Sequence, residues 1–212
     1  MSVFHYTQPG PLLSQIDDPP KRLYVRGKLP DFSKPMIAVV GTRHVTDYGR
    51  KVTYSLARDL ATAGFTIVSG FMYGVDAIAH GAAIDAGGKT IGVLGFGFDY
   101  MYPKSHASLA KRMLETGNTL VTEFEPEVPA MPQNFPRRNR IVSGLCLGVV
   151  VTEAAKNSGS MITARLAVEQ GREVFAVPGP IDSLYSEGTK ELINLGAKLV
   201  TNVSDIVDEL VQ

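Results

Sequence analysis

Met36-Ile37-Ala38-Val39-Val40-Gly41-Thr42-Arg43 is a run of five apolar residues that ends on a glycine, a hydroxyl and a cation. A strand of this kind keeps no polar face for water, so both of its faces must be covered by other elements. A helical stretch over 47–63 follows, Gly64 stands where it should stop, and Thr66-Ile67-Val68-Ser69-Gly70 repeats the pattern. Working outward, strands are expected at 36–40, 66–69, 90–94, 119–122, 147–152, 173–177 and 198–200. Helices are expected at 47–63, 75–86, 105–116, 160–170, 190–195 and 204–210, with Gly87, Gly117, Gly171 and Gly196 as further stops. Strand and helix in alternation, with strands apolar on both faces, predict an α/β protein with a doubly wound, mainly parallel sheet.

Residues 1–35 differ. Pro9, Pro11, Pro19, Pro20, Pro30 and Pro35 punctuate a stretch without periodicity, in which Leu23-Tyr24-Val25 could add an edge strand or pack beside the sheet. An N-terminal extension over 1–35 and a core over 36–212 are therefore expected. With 212 residues, 44% of them hydrophobic, the chain is long enough to bury a core without disulfides. Its 21 Lys and Arg balance its 21 Asp and Glu, so a nucleic-acid site would have to be a local patch. The lone Cys146 sits in an apolar run and reads as a buried side chain; no thiolate metal cage or disulfide framework is expected. Met1-Ser2-Val3-Phe4-His5-Tyr6 lacks the layout of a signal peptide, and no apolar run approaches the ~18 residues of a membrane span. A cytoplasmic protein with no membrane contact is the expectation.

In open α/β sheets ligands bind beyond the carboxyl ends of the strands. Four segments fall there: Gly41-Thr42-Arg43, Ser69 to Asp76, Gly95-Phe96-Gly97-Phe98-Asp99, and Asn157-Ser158-Gly159-Ser160 before a helix. Glycines and hydroxyls ahead of a helix leave backbone amides free for an anion, although Ser160 would equally serve as an ordinary N-cap. The second signal is Pro132-Gln133-Asn134-Phe135-Pro136-Arg137-Arg138-Asn139-Arg140, inside a stretch from Val128 to Thr152 with three arginines and no acid. Arginine forks onto phosphate and a neighbouring ring offers a stacking face; the plainer alternative is a solvated surface segment with Phe135 as a core anchor.

Catalytic patterns fare poorly. Gly88-Lys89-Thr90 mimics the end of a P-loop but enters a strand, and Gly95-Phe96-Gly97 lacks the third glycine of a dinucleotide site. His5, His44, His80 and His106 show no metal spacing, and His80, one turn after Asp76, is expected to hydrogen-bond locally. Glu153, at the end of an apolar strand, could be an acid or base, but reads rather as a carboxylate that orients an arginine or caps a loop. Glu123, Glu125 and Glu127 read as a solvated face. No cofactor is expected.

With these segments in order, the chain resembles the DprA/Smf family of DNA-processing proteins. The resemblance is carried by Val40-Gly41-Thr42-Arg43, Ser69-Gly70 with Gly74-Val75-Asp76 and His80, Val93-Leu94-Gly95 and Tyr102-Pro103. Its longest strings run from Phe135 through Arg140 to Leu145, from Ser158 to Arg165, and from Glu169 through Arg172 to Gly179. It implies an extended Rossmann-like core that is not an enzyme, forms a homodimer, binds single-stranded DNA and helps load the recombinase RecA during natural transformation. Carried onto this sequence, the DNA site comprises Gly41, Arg43, Ser69, Gly70, Phe135, Arg137, Arg138, Asn139, Arg140, Ser158, Gly159, Ser160 and Thr163. Lys156 joins on charge and position. Tyr73 stands where the family usually has a base, and could stack on a nucleobase instead. Many members carry an N-terminal helical domain and a C-terminal winged helix; here the first is expected to be vestigial and the sequence given ends at Gln212. Arg138→Ala is expected to flatten the salt dependence of binding. The rival is a nucleotide-metabolite enzyme that cleaves an N-glycosidic bond. Such related proteins carry P-G-G-x-G-T followed by a glutamate, where this chain has Ser158-Gly159-Ser160-Met161-Ile162-Thr163 and no acid.

Overall fold

A computed structural model describes residues 4–6 and 10–210. In chain order the elements are β1 (Phe4–Tyr6), α1 (Gly10–Leu13), β2 (Leu23–Gly27), β3 (Met36–Val40), α2 (Asp47–Thr62), β4 (Thr66–Ser69), α3 (Val75–Asp85), β5 (Thr90–Leu94) and α4 (Ala107–Glu115). Then come β6 (Thr119–Thr122), α5 (Asn134–Gly144), β7 (Gly148–Val151), α6 (Gly159–Glu169), β8 (Glu173–Ala176), α7 (Glu187–Asn194), β9 (Lys198–Leu199) and α8 (Ser204–Leu210). The strands form one sheet in the order β1-β2-β6-β5-β4-β3-β7-β8-β9. From β6 to β9 every pairing is parallel. β2 pairs antiparallel with β6 and β1 with β2, so Leu23-Tyr24-Val25 extends the sheet at its edge.

The alternation of side chains along each strand fills two cores. Ala38, Val40, Ile91, Val93, Val149 and Val151 point to one face, where Leu13, Ile141, Met161 and Leu192 of α1, α5, α6 and α7 cover them. Ile37, Val39, Ile67, Val150 and Phe175 point to the other, under Leu56, Ala79 and Ile206 of α2, α3 and α8. Near β5 and β6 that second face continues as Leu94 and Leu120 beneath Met113 of α4. Double coverage explains why the strands read as unbroken apolar runs. The architecture is the doubly wound, mainly parallel, extended Rossmann-like sheet that the sequence predicts.

The glycine stops behave as expected: Gly64, Gly87, Gly117, Gly171 and Gly196 all have positive φ, each just beyond a helix. The first described residues are part of the packing. Leu13 and Ile16 belong to the core, and Arg172 Nη2 donates to the Leu12 carbonyl at 2.8 Å. Cys146 is buried, and burial raises its thiol well above the ordinary range. Among the described residues no helix is long and apolar enough to cross a membrane.

Candidate functional site

The sheet order places β3 beside β7 although their chains leave in opposite directions, β3 toward β4 and β7 toward β8. A crevice opens at the carboxyl ends of two such strands, and ligands bind there in this class of fold. Here it is a cleft of about 580 Å³. Its walls are Gly41 to His44 after β3, Gly70, Met72 and Asp76 after β4, Tyr102, Pro132, the α5 side chains from Phe135 to Val142 that flank Arg138 and Asn139, and Ala155, Ser158 to Ser160, Ile162 and Thr163 after β7, with Tyr185 at one edge.

Backbone bonds tie the two central loops together. Thr42 N–H donates to the Glu153 carbonyl at 2.7 Å and Val75 N–H to the Thr42 carbonyl at 3.1 Å. The Glu153 carboxylate is buried and accepts from Thr46 N–H at 2.9 Å and from Thr46 Oγ1 at 2.6 Å. Thr46 caps α2 in turn. Of the roles expected for Glu153, the structure therefore selects the loop cap.

The floor is a buried polar cluster. Arg138, on the second turn of α5, is 3% exposed, and its Nη1 donates to the carbonyls of Gly70 and Val93 at the ends of β4 and β5. Its Nε is buried without a partner among the described residues. Burial lowers the guanidinium to about 10, against the opposing pull of Asp76. The Asp76 carboxylate is buried too and accepts from Met72 N–H at 3.1 Å. Burial raises its pKa and Arg138 draws it back. Gly70 stands where these two groups converge: a Cβ there would lie 2.7 Å from both Arg138 Nη2 and Asp76 Oδ2, so only glycine leaves them room. Beside it Phe71 takes φ 58°, an uncommon conformation for a bulky residue, with its ring near both His80 and His106.

The rim is solvated. Arg43 is exposed, with its guanidinium carbon 6.0 Å from the centre of the Phe135 ring. Tyr102 lies on Phe135, ring centroids 5.6 Å apart, and is 40% exposed. Opposite, α6 begins at Gly159. Ser158 is its N-cap in place of the Ser160 expected, and its hydroxyl caps no amide; it lies 2.7 Å from Ser160 Oγ instead. Of the first amides of α6, that of Met161 donates to the Ser158 carbonyl at 3.1 Å, and those of Gly159 and Ser160 stand at the helix end that favours negative charge. Asn139 Nδ2 donates to the Gly159 carbonyl at 3.3 Å and ties α5 to that start. Thr163 Oγ1 donates to the same carbonyl at 3.3 Å.

Ten of the residues named from sequence line the cleft: Gly41, Arg43, Gly70, Phe135, Arg138, Asn139, Ser158, Gly159, Ser160 and Thr163. Five do not. Ser69 is buried behind the cleft and donates to the Val39 carbonyl at 2.7 Å. Tyr73 is outside it, edge-on to His106 with centroids 5.1 Å apart. Lys156 lies on the surface, 3.9 Å from Glu191. Arg140 points to the far side of α5, where Nη1 and Nη2 donate to Glu123 at 2.6 and 2.8 Å. Its Nε donates to the Asp18 carboxylate at 2.9 Å. Arg137 approaches the same Glu123 at 3.4 Å.

Several expectations need correction. Glu123 is no solvated carboxylate; its side chain is nearly buried against Arg140. His80 bonds Thr90 at 2.7 Å and not Asp76. The Gly95–Asp99 turn lies outside the cleft: Gly95 packs under Phe135 and Gly97 against the backbone of Glu125. The arginine-rich stretch is a helix, α5, with a buried stripe at Arg138, Ile141, Val142 and Leu145. Its first turn tolerates Pro136 because those N–H groups have no helical partner. Sequence reading missed Tyr102 as a cleft residue; its place just ahead of Pro103, between two apolar elements, was the available signal.

Doubly wound α/β folds as a class take phosphate-bearing ligands at such a switch point, where this chain presents the start of α6, the exposed Arg43 and the Tyr102–Phe135 ring pair. The chain's relatives narrow that class. The family model for DNA recombination-mediator protein A matches residues 3–211, and the chain belongs to that family of DNA-processing proteins in recombination. It is 48% identical over 200 residues to protein Smf of Escherichia coli, which covers 94% of this chain and 54% of that protein. The chain thus spans about half the length of that relative. The X-ray structure of DNA processing protein A from Streptococcus pneumoniae superposes with a TM-score of 0.92 at 40% identity, over 99% of this chain and 75% of that one. The Helicobacter pylori DNA processing protein A, whose structure describes a mode of single-stranded DNA binding, superposes with 0.88 at 31% identity, over 100% and 96%.

Proposed function

We propose that the cleft grips single-stranded DNA, without catalysis, as the DNA-handling core of a recombination mediator. The observation that carries this is the pairing of a solvated Arg43 and the start of α6 with the exposed Tyr102 ring on half-buried Phe135 in one cleft. The cation and amides suit a sugar–phosphate backbone, the rings suit unpaired bases, and neither reads sequence. Arg138 serves as the floor and Arg43 as the salt-sensitive contact. Residues 1–35 act as an extension to a core over 36–212, the chain works as a homodimer in the cytoplasm, and the bound strand passes to a RecA-type recombinase. The related Helicobacter pylori protein supports the strand preference. Fluorescence anisotropy with labelled oligo-dT and a matched duplex, across a salt series, tests the reading. The single strand should bind, the duplex should not, and log affinity should fall by ~0.7 per log salt for each phosphate held. Equal binding of duplex, or none of either at low salt, would sink it.

One observation keeps the enzyme reading in view: Asp76 is a cleft carboxyl whose pKa burial raises, as a general acid requires. Against it, the carboxyl is held by Met72 N–H and faces Arg138. Release of free base from nucleoside monophosphates would establish it.

A further inference from the structure

Tyr73 stands outside the cleft, yet it is braced from the core outward. The residue is 45% exposed and its ring stands edge-on to that of His106, centroids 5.1 Å apart. His106 is buried and stands edge-on in turn to the wholly buried Phe71, centroids 5.4 Å apart. His106 Nδ1 also lies 3.3 Å from the Phe71 carbonyl oxygen, which fixes the middle ring. Three rings thus lead from the core to the surface, and the outermost has at most one of its faces against His106. An unsupported surface ring must be ordered before anything can stack on it; here the fold has already ordered it.

Its neighbours place it at the lip of the cleft. Met72 lines the cleft, and Gly74 packs on the Thr42–Arg43 backbone so closely that a Cβ would lie 2.2 Å from the Thr42 carbonyl oxygen. On the other side, the Tyr73 hydroxyl lies 3.5 Å from Ser105 Oγ, and Ser105 follows the cleft residue Tyr102 by three positions. The Cα atoms of Tyr102 and Ser105 are therefore at most ~11 Å apart. Between them Lys104 is exposed and, like Arg43, makes no ion pair among the described residues. Open rings interleaved with free cations suit the bases and phosphates of a single strand.

We propose that Tyr73 is a second base platform, outside the cleft. A base of the bound strand stacks on its open face, and Lys104 takes a phosphate between that base and Tyr102. This rests on the single-stranded DNA reading and extends it, because it sets the side on which the strand crosses the rim.

The full chain has no tryptophan, so Tyr73→Trp puts a lone indole at the platform. Oligo-dT should quench its emission. By anisotropy, Tyr73→Ala should weaken labelled oligo-dT about tenfold, and Tyr73→Phe should bind it as the unchanged chain does. A strand of the same length without bases should bind Tyr73→Ala and the unchanged chain equally, since it has nothing to stack. The salt slope should stay the same in Tyr73→Ala, which loses no charge, and fall by ~0.7 in Lys104→Ala. If the unchanged chain binds oligo-dT and Tyr73→Ala binds it equally well, the platform is overturned and the DNA reading stands. An equal loss on the strand without bases also overturns it, because the ring would then act by supporting the rim. If the unchanged chain does not bind oligo-dT, the DNA reading falls and the platform with it.

Discussion

The rim and the floor of the cleft are built from the same residue types and do opposite things with them. At the rim Arg43 reaches into solvent beside Phe135, free to meet an incoming charge. At the floor Arg138 is bonded to two strand-end carbonyls and faces a buried carboxylate, so its charge is spent inside the fold. A polar group at a binding site thus contributes in two ways, by meeting ligand or by fixing the shape that meets it, and burial decides which.

The sharpest test of that division is Arg138→Ala. It strands the Gly70 and Val93 carbonyls and leaves Asp76 buried without its counter-charge, so the chain should lose ~3–5 kcal/mol of stability. Urea denaturation measures this, and a loss under ~1 kcal/mol would make the floor a rim. The second test lies under Phe71, where burial pushes His80 down to about 3 from 6.5, with His106 and Arg138 adding to the shift. The folded state therefore refuses a proton that the unfolded chain accepts. The stability His80 contributes is present above pH 6.5 and is lost as pH falls toward 3. Between pH 6.5 and pH 5 that loss is ~2 kcal/mol, and it should be absent from His80→Gln when the two urea midpoints are compared. The smallest effect on stability is expected at the rim. Arg43→Ala should change it by under ~0.5 kcal/mol while lowering the salt slope of oligo-dT binding by ~0.7. A rim mutant that unfolds, or one with an unchanged slope, would erase the distinction.

Much of the fold was legible because it rests on local pattern. The strands at Met36–Val40, Thr66–Ser69, Thr90–Leu94 and Thr119–Thr122, and the helix at Ser204–Leu210, have the bounds that the apolar runs predict. α5 was not legible as a helix, since Pro136 and three arginines give its first turns no apolar stripe. Its periodicity appears only once Arg138 is known to lie inside, and nothing in the identity of an arginine announces that. The segments of the site were legible from the strand ends, and ten of their residues do meet at the cleft. The partition among Arg137, Arg138 and Arg140 was not. Neighbouring helix positions point about 100° apart, so Arg138 turns to the cleft floor while Arg137 and Arg140, three positions apart, share Glu123 on another side. Which of them meets Glu123, and which meets Gly70 and Val93, depends on strands up to 68 residues away.

The cleft's walls come from five stretches of chain, after β3, after β4, from Tyr102 into α5, after β7, and at Tyr185 after β8. No partly folded fragment can assemble them, because the last wall is supplied more than a hundred residues after the first. Occupancy and global folding are therefore thermodynamically linked: a ligand that recognises this cleft binds the folded chain and not the unfolded one. At a hundred times its dissociation constant such a ligand should stabilise the whole chain by ~2.7 kcal/mol, which turns a melting curve into a binding assay for any candidate occupant.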